Sequence, residues 1–95
     1  MFIITLSFSK NKKQARQFMD GHKTWLKCGF DDGVFVLAGS LQPNLGGGII
    51  AHDVSLSDLQ SRVDHDPFVV EDVVIAEIIE LEPSFTDERL SFLLD

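Results

Sequence analysis

VFVLAGSLQPNLGGGIIAH, residues 34–52, is the stretch that decides the fold. Residues 34–40 are rich in β-branched and aromatic side chains, and residues 48–52 continue this composition, which predicts two strands. Between them, residues 42–48 contain a proline, an asparagine and three consecutive glycines, which are typical of a turn. We therefore predict an antiparallel hairpin in the middle of the chain.

One strand and one helix are predicted before the hairpin. Residues 2–8, FIITLSF, have the composition of a strand. A cap at Ser9 or Asn11 then begins a helix, because apolar residues recur from there at helical spacing. Gly29 and Gly33 are predicted to end this helix, since glycine tolerates the left-handed backbone of helix C-termini.

A second helix and a last strand are predicted after the hairpin. Ser55 or Ser57 caps a short helix, which Pro67 prevents from continuing. Residues 69–82 have the longest strand pattern, and its first half is apolar on both faces, as in a central strand covered on both sides. Residues 84–95 form a tail with a short helix that is apolar at Leu90, Leu93 and Leu94.

The predicted element order is βαββαβ followed by the tail. Right-handed crossovers convert this order into an α+β fold, a four-stranded antiparallel sheet with both helices on one face and its first and last strands adjacent. We expect one domain over residues 1–82, with residues 83–95 outside it. The other sheet face would be apolar and uncovered, which predicts a homodimer or larger assembly packed through the sheets, with the tail helping to cover the interface.

Composition excludes several classes of function. Fifteen acidic against eight basic residues give a net charge of −7, which argues against a nucleic-acid partner because phosphate contacts need a basic surface. The apolar runs are too short to span a bilayer, so no membrane partner is expected. Residues 1–6 lack the basic flank and cleavage site of a signal peptide, and Cys28 is the one cysteine. Both features favour a cytoplasmic location.

His22 is the most informative candidate for chemistry. It follows Phe18 by four residues and precedes Trp25 by three, so it falls on or beside the buried face of the first helix, where leucine is usual. One interpretation is a core histidine satisfied by a backbone carbonyl. The other is a general acid or base at the floor of a cleft, because imidazole titrates near neutrality.

Asp66 is the second candidate. It stands immediately before Pro67, at the corner where the second helix gives way to the last strand, so its carboxylate is held in a defined place. The alternative is a turn or capping carboxylate, which is common before proline.

No metal or organic cofactor is expected. Residues 64–66 (Asp-His-Asp) and residues 52–53 (His-Asp) lack recognisable ligand spacing. The glycines at 46–48 lack the Lys-Ser/Thr of a phosphate loop and belong to a hairpin turn. Cys28 is expected to be a packing thiol at a helix end.

Three segments carry a resemblance to a known family. They are His22-Lys23-Thr24-Trp25-Leu26, Ala38-Gly39-Ser40 and Asp66-Pro67-Phe68. With these segments the chain, from about residue 1 to residue 82, resembles the YciI-like (YCII-related) family of ferredoxin-like, dimeric α/β-barrel proteins. Ser40 departs from the family pattern, which commonly has proline there.

The resemblance implies a site and a class of reaction. His22 would move a proton on a small molecule, and Asp66 would hold the imidazole in one tautomer. Gly39 and Ser40 would line the pocket, and Trp25 and Phe68 would supply apolar walls. The implied activity is that of a lyase or isomerase without a cofactor, acting on an unknown small-molecule ligand.

Two other functions remain open at this stage. The same fold could be a module that binds a small ligand or docks to a partner without turnover. It could also handle haem or oxygen, as some relatives of the resembled family do, although no iron-ligand motif is present. A lyase needs His22 and Asp66 within hydrogen-bond reach at a cleft, whereas a module does not.

Overall fold

The computed structural model of the protein describes residues 1–94. Seven helices and strands follow one another in the order β1, α1, β2, β3, α2, α3, β4, and two 3-10 segments lie at Lys12–Gln14 and Glu88–Leu94. Their bounds are β1 Phe2–Phe8, α1 Ala15–Asp31, β2 Phe35–Leu41, β3 Gly46–Ala51, α2 Leu56–Asp64, α3 Pro67–Val70 and β4 Val74–Glu80.

The four strands form one antiparallel sheet in the order β2-β3-β1-β4. The predicted α+β architecture is confirmed, and so is the adjacency of the first and last strands. In the register, Ile4 of β1 stands opposite Ile49 of β3 and Ile78 of β4. This side chain is fully buried, because alternate residues of β1 face the helices.

The core lies between the sheet and the helices. Phe2, Ile4 and Leu6 of β1 pack with Leu59 and Val63, which are the buried residues of α2. Ser55 is the N-cap of α2, as predicted, and its hydroxyl accepts a hydrogen bond from the Asp58 N–H at 3.1 Å.

The prediction of the last strand is wrong in two respects, the residue at which the strand begins and its place in the order of the sheet. Residues 67–70 form the short helix α3, and the strand begins only at Val74. Pro67 suits the first position of a helix, and Asp66 caps it, so these two residues override the β-branched composition that follows. β4 is also an edge strand of the sheet and not a central one.

The first helix also differs from its prediction. It begins at Ala15, after the 3-10 turn, and it continues through Gly29 to Asp31. Gly29 is buried inside the helix, where an added Cβ would overlap the ring of Phe35 in β2. This glycine therefore allows close helix–strand packing, and Gly33, with φ of 75°, is where the backbone turns left-handed after the helix.

The glycine triplet belongs to a strand and not to the turn of the hairpin. β3 begins at Gly46, and the connection from β2 is confined to residues 42–45. Gly46 has φ of 128°, and a Cβ there would overlap the Leu6 carbonyl oxygen of β1. Only glycine lets the two strands approach this closely at that point.

The sheet face opposite the helices is mostly apolar, and Thr5, Ser7 and Glu77 are its polar members. We name it the open face, and it carries Ile3, Leu37, Leu41, Ile50, Ile75 and Ile79. The tail lies beyond the end of β4, where Phe92 makes an edge contact with His52, with ring centroids 5.3 Å apart. Within residues 1–94, the structure shows no helix with the length and apolar content needed to cross a membrane.

Candidate active site

The placement of His22 depends on the close approach of α1 and α3. The preceding residue, Gly21, faces Pro67, and a Cβ on Gly21 would come within 3.1 Å of the proline Cγ. The missing side chain therefore lets the start of α3 pack against α1. This contact brings Asp66, the residue before Pro67, beside His22.

Asp66 is held on several sides. Its side chain is fully buried, and its Oδ1 accepts a hydrogen bond from the Phe68 N–H at 3.0 Å, which caps α3. Its backbone carbonyl accepts from the N–H groups of Val69 and Val70. Asp66 is therefore a capping carboxylate, as one of the two interpretations of the sequence predicts. Its side chain also makes a second contact.

That second contact joins Asp66 to His22. Nδ1 of His22 lies 2.8 Å from Oδ1 of Asp66, and the two side chains are 12% and 0% exposed. Because an ionised carboxylate only accepts hydrogen bonds, the imidazole donates from Nδ1. This assignment of the tautomer leaves the lone pair on Nε2.

Two aromatic rings pack against the imidazole. The His22 ring stacks on Phe68, with centroids 4.1 Å apart and planes 4° from parallel, and it stacks more loosely on Trp25 at 5.8 Å. Trp25 is itself fixed, because its Nε1–H donates to the Arg62 carbonyl at 2.9 Å and its ring makes an edge contact with Phe35. The orientation of His22 is therefore determined by packing as well as by Asp66.

A cavity of about 310 Å³ lies beside this imidazole, between α1 and the sheet. Its volume is at the lower end of the range for small-molecule sites. The lining is mostly apolar, and polar side chains enter it only as His22, Lys23 and Ser40 among the described residues. The residues that line it are Leu6, Phe8, Met19, His22, Lys23, Leu26, Ala38, Gly39, Ser40, Gly46, Gly47, Gly48, Ile49, Phe68 and Val74.

The cavity exists because small residues occupy the strand positions opposite α1. Gly47 pairs with Leu6 and Ser40 in the register, and a Cβ there would meet Leu6 Cδ1 at 3.8 Å, which is ordinary contact. A side chain at position 47 would therefore fit the protein and take up space in the cavity. The glycine triplet, which we interpreted as a turn, forms one wall of the site.

The structure brings most of the expected site residues together. Gly39, Ser40 and Phe68 line the cavity with His22, and Asp66 lies behind the imidazole. Trp25 is an exception and corrects the expected wall. It lines a separate groove, which also contains Asp32, Val34, Val54, Asp58, Ser61, Arg62 and His65.

Sequence reasoning missed three contributors from α1, which are Met19, Lys23 and Leu26. Met19 precedes His22 by three residues and is therefore on the same helix face, so the helical period alone could have identified it. Lys23 is exposed and also borders the cavity, and nothing in the local sequence indicates the second property.

The remaining candidates lie outside the cavity. His65 Nδ1 donates to the Ser61 carbonyl at 2.6 Å, within its own helix turn. Cys28 is exposed on α1, which corrects the expectation of a packing thiol. Over residues 1–94, no three His, Cys, Asp or Glu side chains converge as a metal site would require.

Comparison with known proteins supports the fold. No family model matches the chain, and no curated protein matches it either. Among solved structures, the chain is similar to 5-chloro-2-hydroxyhydroquinone dehydrochlorinase (TftG) from Burkholderia phenoliruptrix AC1100, in complex with 2,5-dihydroxybenzoquinone. The TM-score is 0.68 at 13% sequence identity, over 85% of this chain and 93% of that chain. The two proteins therefore share a fold.

Proposed function

We propose that the protein is a cofactor-independent lyase or isomerase in which His22 transfers a proton on a small molecule. One observation carries the proposal. The imidazole lines an apolar cavity of about 310 Å³ while its Nδ1 lies 2.8 Å from the fully buried carboxylate of Asp66. A base oriented in this way, with its second nitrogen free, is what general-base catalysis requires.

The proposed chemistry follows from the two ring nitrogens. Nε2 accepts a proton from the substrate, and the imidazolium that forms is balanced by the Asp66 carboxylate at Nδ1. In an elimination, the electron pair of the bond to the removed proton forms a new double bond. A leaving group such as chloride departs with the electron pair of the carbon–chlorine bond. In an isomerisation, Nε2 returns the proton to a different atom of the same molecule.

The lining of the cavity suits a small, largely apolar substrate. Leu6, Leu26, Ile49 and Phe68 make the wall beside the imidazole apolar, which strengthens the electrostatic interaction between the imidazolium and Asp66. The Ser40 hydroxyl is positioned to orient a substrate oxygen. The dehydrochlorinase with the same fold acts on a small hydroxylated ring, which supports a substrate of similar size here.

The assembly and family of the protein belong to the same proposal. We infer that the open face packs on the open face of a second copy, because Leu37, Ile75 and Ile79 are exposed on it at 55%, 61% and 44%. Membership of the YciI-like family and a cytoplasmic location remain part of this proposal.

Turnover of a chlorinated hydroquinone tests the proposed activity. Chloride release from 5-chloro-2-hydroxyhydroquinone and related rings would be measured with the wild-type protein and with His22→Gln. The account predicts enzyme-dependent release that falls about 10²-fold or more in the variant, the range for loss of a general base. His65→Gln is the matched control, because His65 lies outside the cavity. Equal rates in wild type and His22→Gln would overturn the assignment.

One observation favours a non-catalytic alternative. Asp66 Oδ1 also caps α3, so the contact with His22 could serve packing alone in a ligand-binding module. A module would bind a small ligand saturably and release it unchanged. Analysis of the recovered ligand separates the two cases, since a lyase or isomerase converts it to product and a module returns all of it unchanged.

A further inference from the structure

We propose that Lys23 binds an ionised oxygen of the substrate, so that the cavity selects small flat anions over neutral molecules of the same shape. The chemical class is a carboxylate, enolate or phenolate on an unsaturated carbon skeleton. The inference concerns the same cavity and rests on the proposed function for the role of the anion in turnover, although anion binding itself can be measured without turnover.

Lys23 is the charged group of the cavity. Among the described residues that line it, Lys23 alone carries a permanent positive charge, and no carboxylate lines it. The apolar side chains around the cavity provide little competing solvation for an anion. In a chain with a net charge of −7, Lys23 is therefore the group at this cavity that can attract an anion.

The charge of Lys23 is available to a ligand. Four of the eight Lys and Arg residues are paired with carboxylates among residues 1–94: Lys10 with Asp72, Lys27 with Asp31, Arg62 with Asp32 and Arg89 with Asp87. Lys12, Lys13 and Arg16 have no such pair there, but they do not line the cavity. Lys23 makes no ion pair of this kind with residues 1–94, although fifteen acidic residues are present in the sequence. An anion that enters the cavity therefore does not have to displace a partner of the protein.

The position of Lys23 places the bound charge beside the base. It follows His22 directly on α1, and both residues line the same cavity. An oxygen held at Lys23 therefore fixes the carbon skeleton against the Phe68 ring, within reach of the imidazole. Lys23 is accordingly a specificity-determining residue, because it selects the substrate and sets the orientation in which it binds.

Ligand pairs that are similar in shape and differ in charge test the proposal. Benzoate and benzamide form the carboxylate arm, and 4-nitrophenolate and 4-nitroanisole form the phenolate arm. Dissociation constants would be measured by NMR titration at low and at high salt. We expect wild type to prefer each anion by about tenfold at low salt, as for one charge-assisted hydrogen bond, and to lose much of that preference at high salt.

Three variants assign the preference to one side chain. Lys23→Met removes the charge but keeps an apolar stem, so it abolishes the anion preference and leaves benzamide affinity unchanged. Lys23→Arg retains the preference. Lys27→Met is the matched control, because Lys27 is on the same helix, pairs with Asp31 at 2.7 Å and lies outside the cavity.

Several results would overturn the proposal. These are equal affinity of wild type for both members of each pair, an anion preference that survives in Lys23→Met, or no binding of either anion up to about 20 mM, the weakest affinity expected for ligands of this size. The two proposals fail separately. An anion preference that depends on Lys23, in a protein without turnover, would overturn the His22 assignment alone.

Discussion

Asp66 lies directly behind His22, with its Oδ1 2.8 Å from the imidazole Nδ1 and its side chain fully shielded from solvent. The imidazole thus separates a buried negative charge from an apolar cavity. Asp66 Oδ2 is buried without a hydrogen-bond partner among residues 1–94, so this carboxylate depends on His22 and the Phe68 N–H for its stabilisation. The pair is therefore important for both stability and the proposed chemistry.

Asp66→Asn should lower turnover while leaving the fold intact. An asparagine oxygen can still accept the Phe68 N–H and cap α3, but the neutral amide cannot balance an imidazolium. We expect kcat to fall about tenfold to a hundredfold and the free energy of unfolding to fall by about 1–3 kcal/mol, because a hydrogen bond to a buried charge is weakened. Kinetics and urea denaturation measure the two effects, and unchanged kcat in a folded variant would refute the role of Asp66.

Gly47→Ala should weaken ligand binding without destabilising the protein. The added methyl meets Leu6 Cδ1 at 3.8 Å and occupies the cavity, while alanine is the better strand residue by about 0.5–1 kcal/mol. We expect the dissociation constant of a cavity ligand to rise about tenfold, the usual effect of one methyl group in a pocket. Gly39→Ala is the control, because Gly39 borders the cavity with its backbone alone: it stands opposite Gly48 in the register, so an added Cβ would lie on the open face, with no atom of residues 1–94 within 4 Å. Equal effects of the two substitutions would place the ligand elsewhere.

Gly29→Ala should destabilise the protein. Its methyl would overlap the Phe35 ring, so α1 and β2 must move apart. We expect the free energy of unfolding to fall by about 1–3 kcal/mol, as for other overpacked cores. Cys28→Ala, at an exposed neighbouring position, should change it by less than about 0.5 kcal/mol. Thermal and urea denaturation of both variants measure these changes. Equal stabilities of Gly29→Ala and Cys28→Ala would contradict the prediction and would mean that α1 and β2 repack around the added methyl group.

Leu37→Lys should disrupt the proposed dimer. Leu37 is 55% exposed on the open face, so the isolated chain tolerates the change, but a lysine there would bury a charge between two sheets. Sedimentation velocity at micromolar concentration should show a dimer for wild type and a monomer for the variant. A wild-type protein that is monomeric under these conditions would contradict the proposal.

The sequence predicted the architecture because its signals are local. The strand compositions, the Ser55 cap and the order of elements determine the sheet, and the corner before Pro67 placed Asp66 near the first helix. The errors arise where contacts between residues distant in sequence determine the local structure. A glycine such as Gly29 is typical of a helix end, yet it lies inside α1, where it packs against Phe35. That contact depends on the tertiary fold.

The limits on predicting the site have the same cause. His22 could be singled out because a histidine on an apolar helix face is unusual. The sequence could not show that Lys23 and Gly47 line the cavity. A cavity forms where small residues of several helices and strands face one another, and this arrangement depends on the tertiary fold. Trp25 was expected in the wall from the family resemblance, but its indole N–H donates to the Arg62 carbonyl and the residue lines a separate groove.

The central claim is that Asp66 acts on the substrate only through His22. A double-mutant cycle of turnover tests it most directly, with His22→Gln, Asp66→Asn and the double variant measured on the same substrate. If the two residues act as a unit, the double variant will be no slower than His22→Gln alone, because Asp66 has nothing to orient once the imidazole is gone. If the effects of the two substitutions on log kcat add, Asp66 and His22 act independently and the account is contradicted.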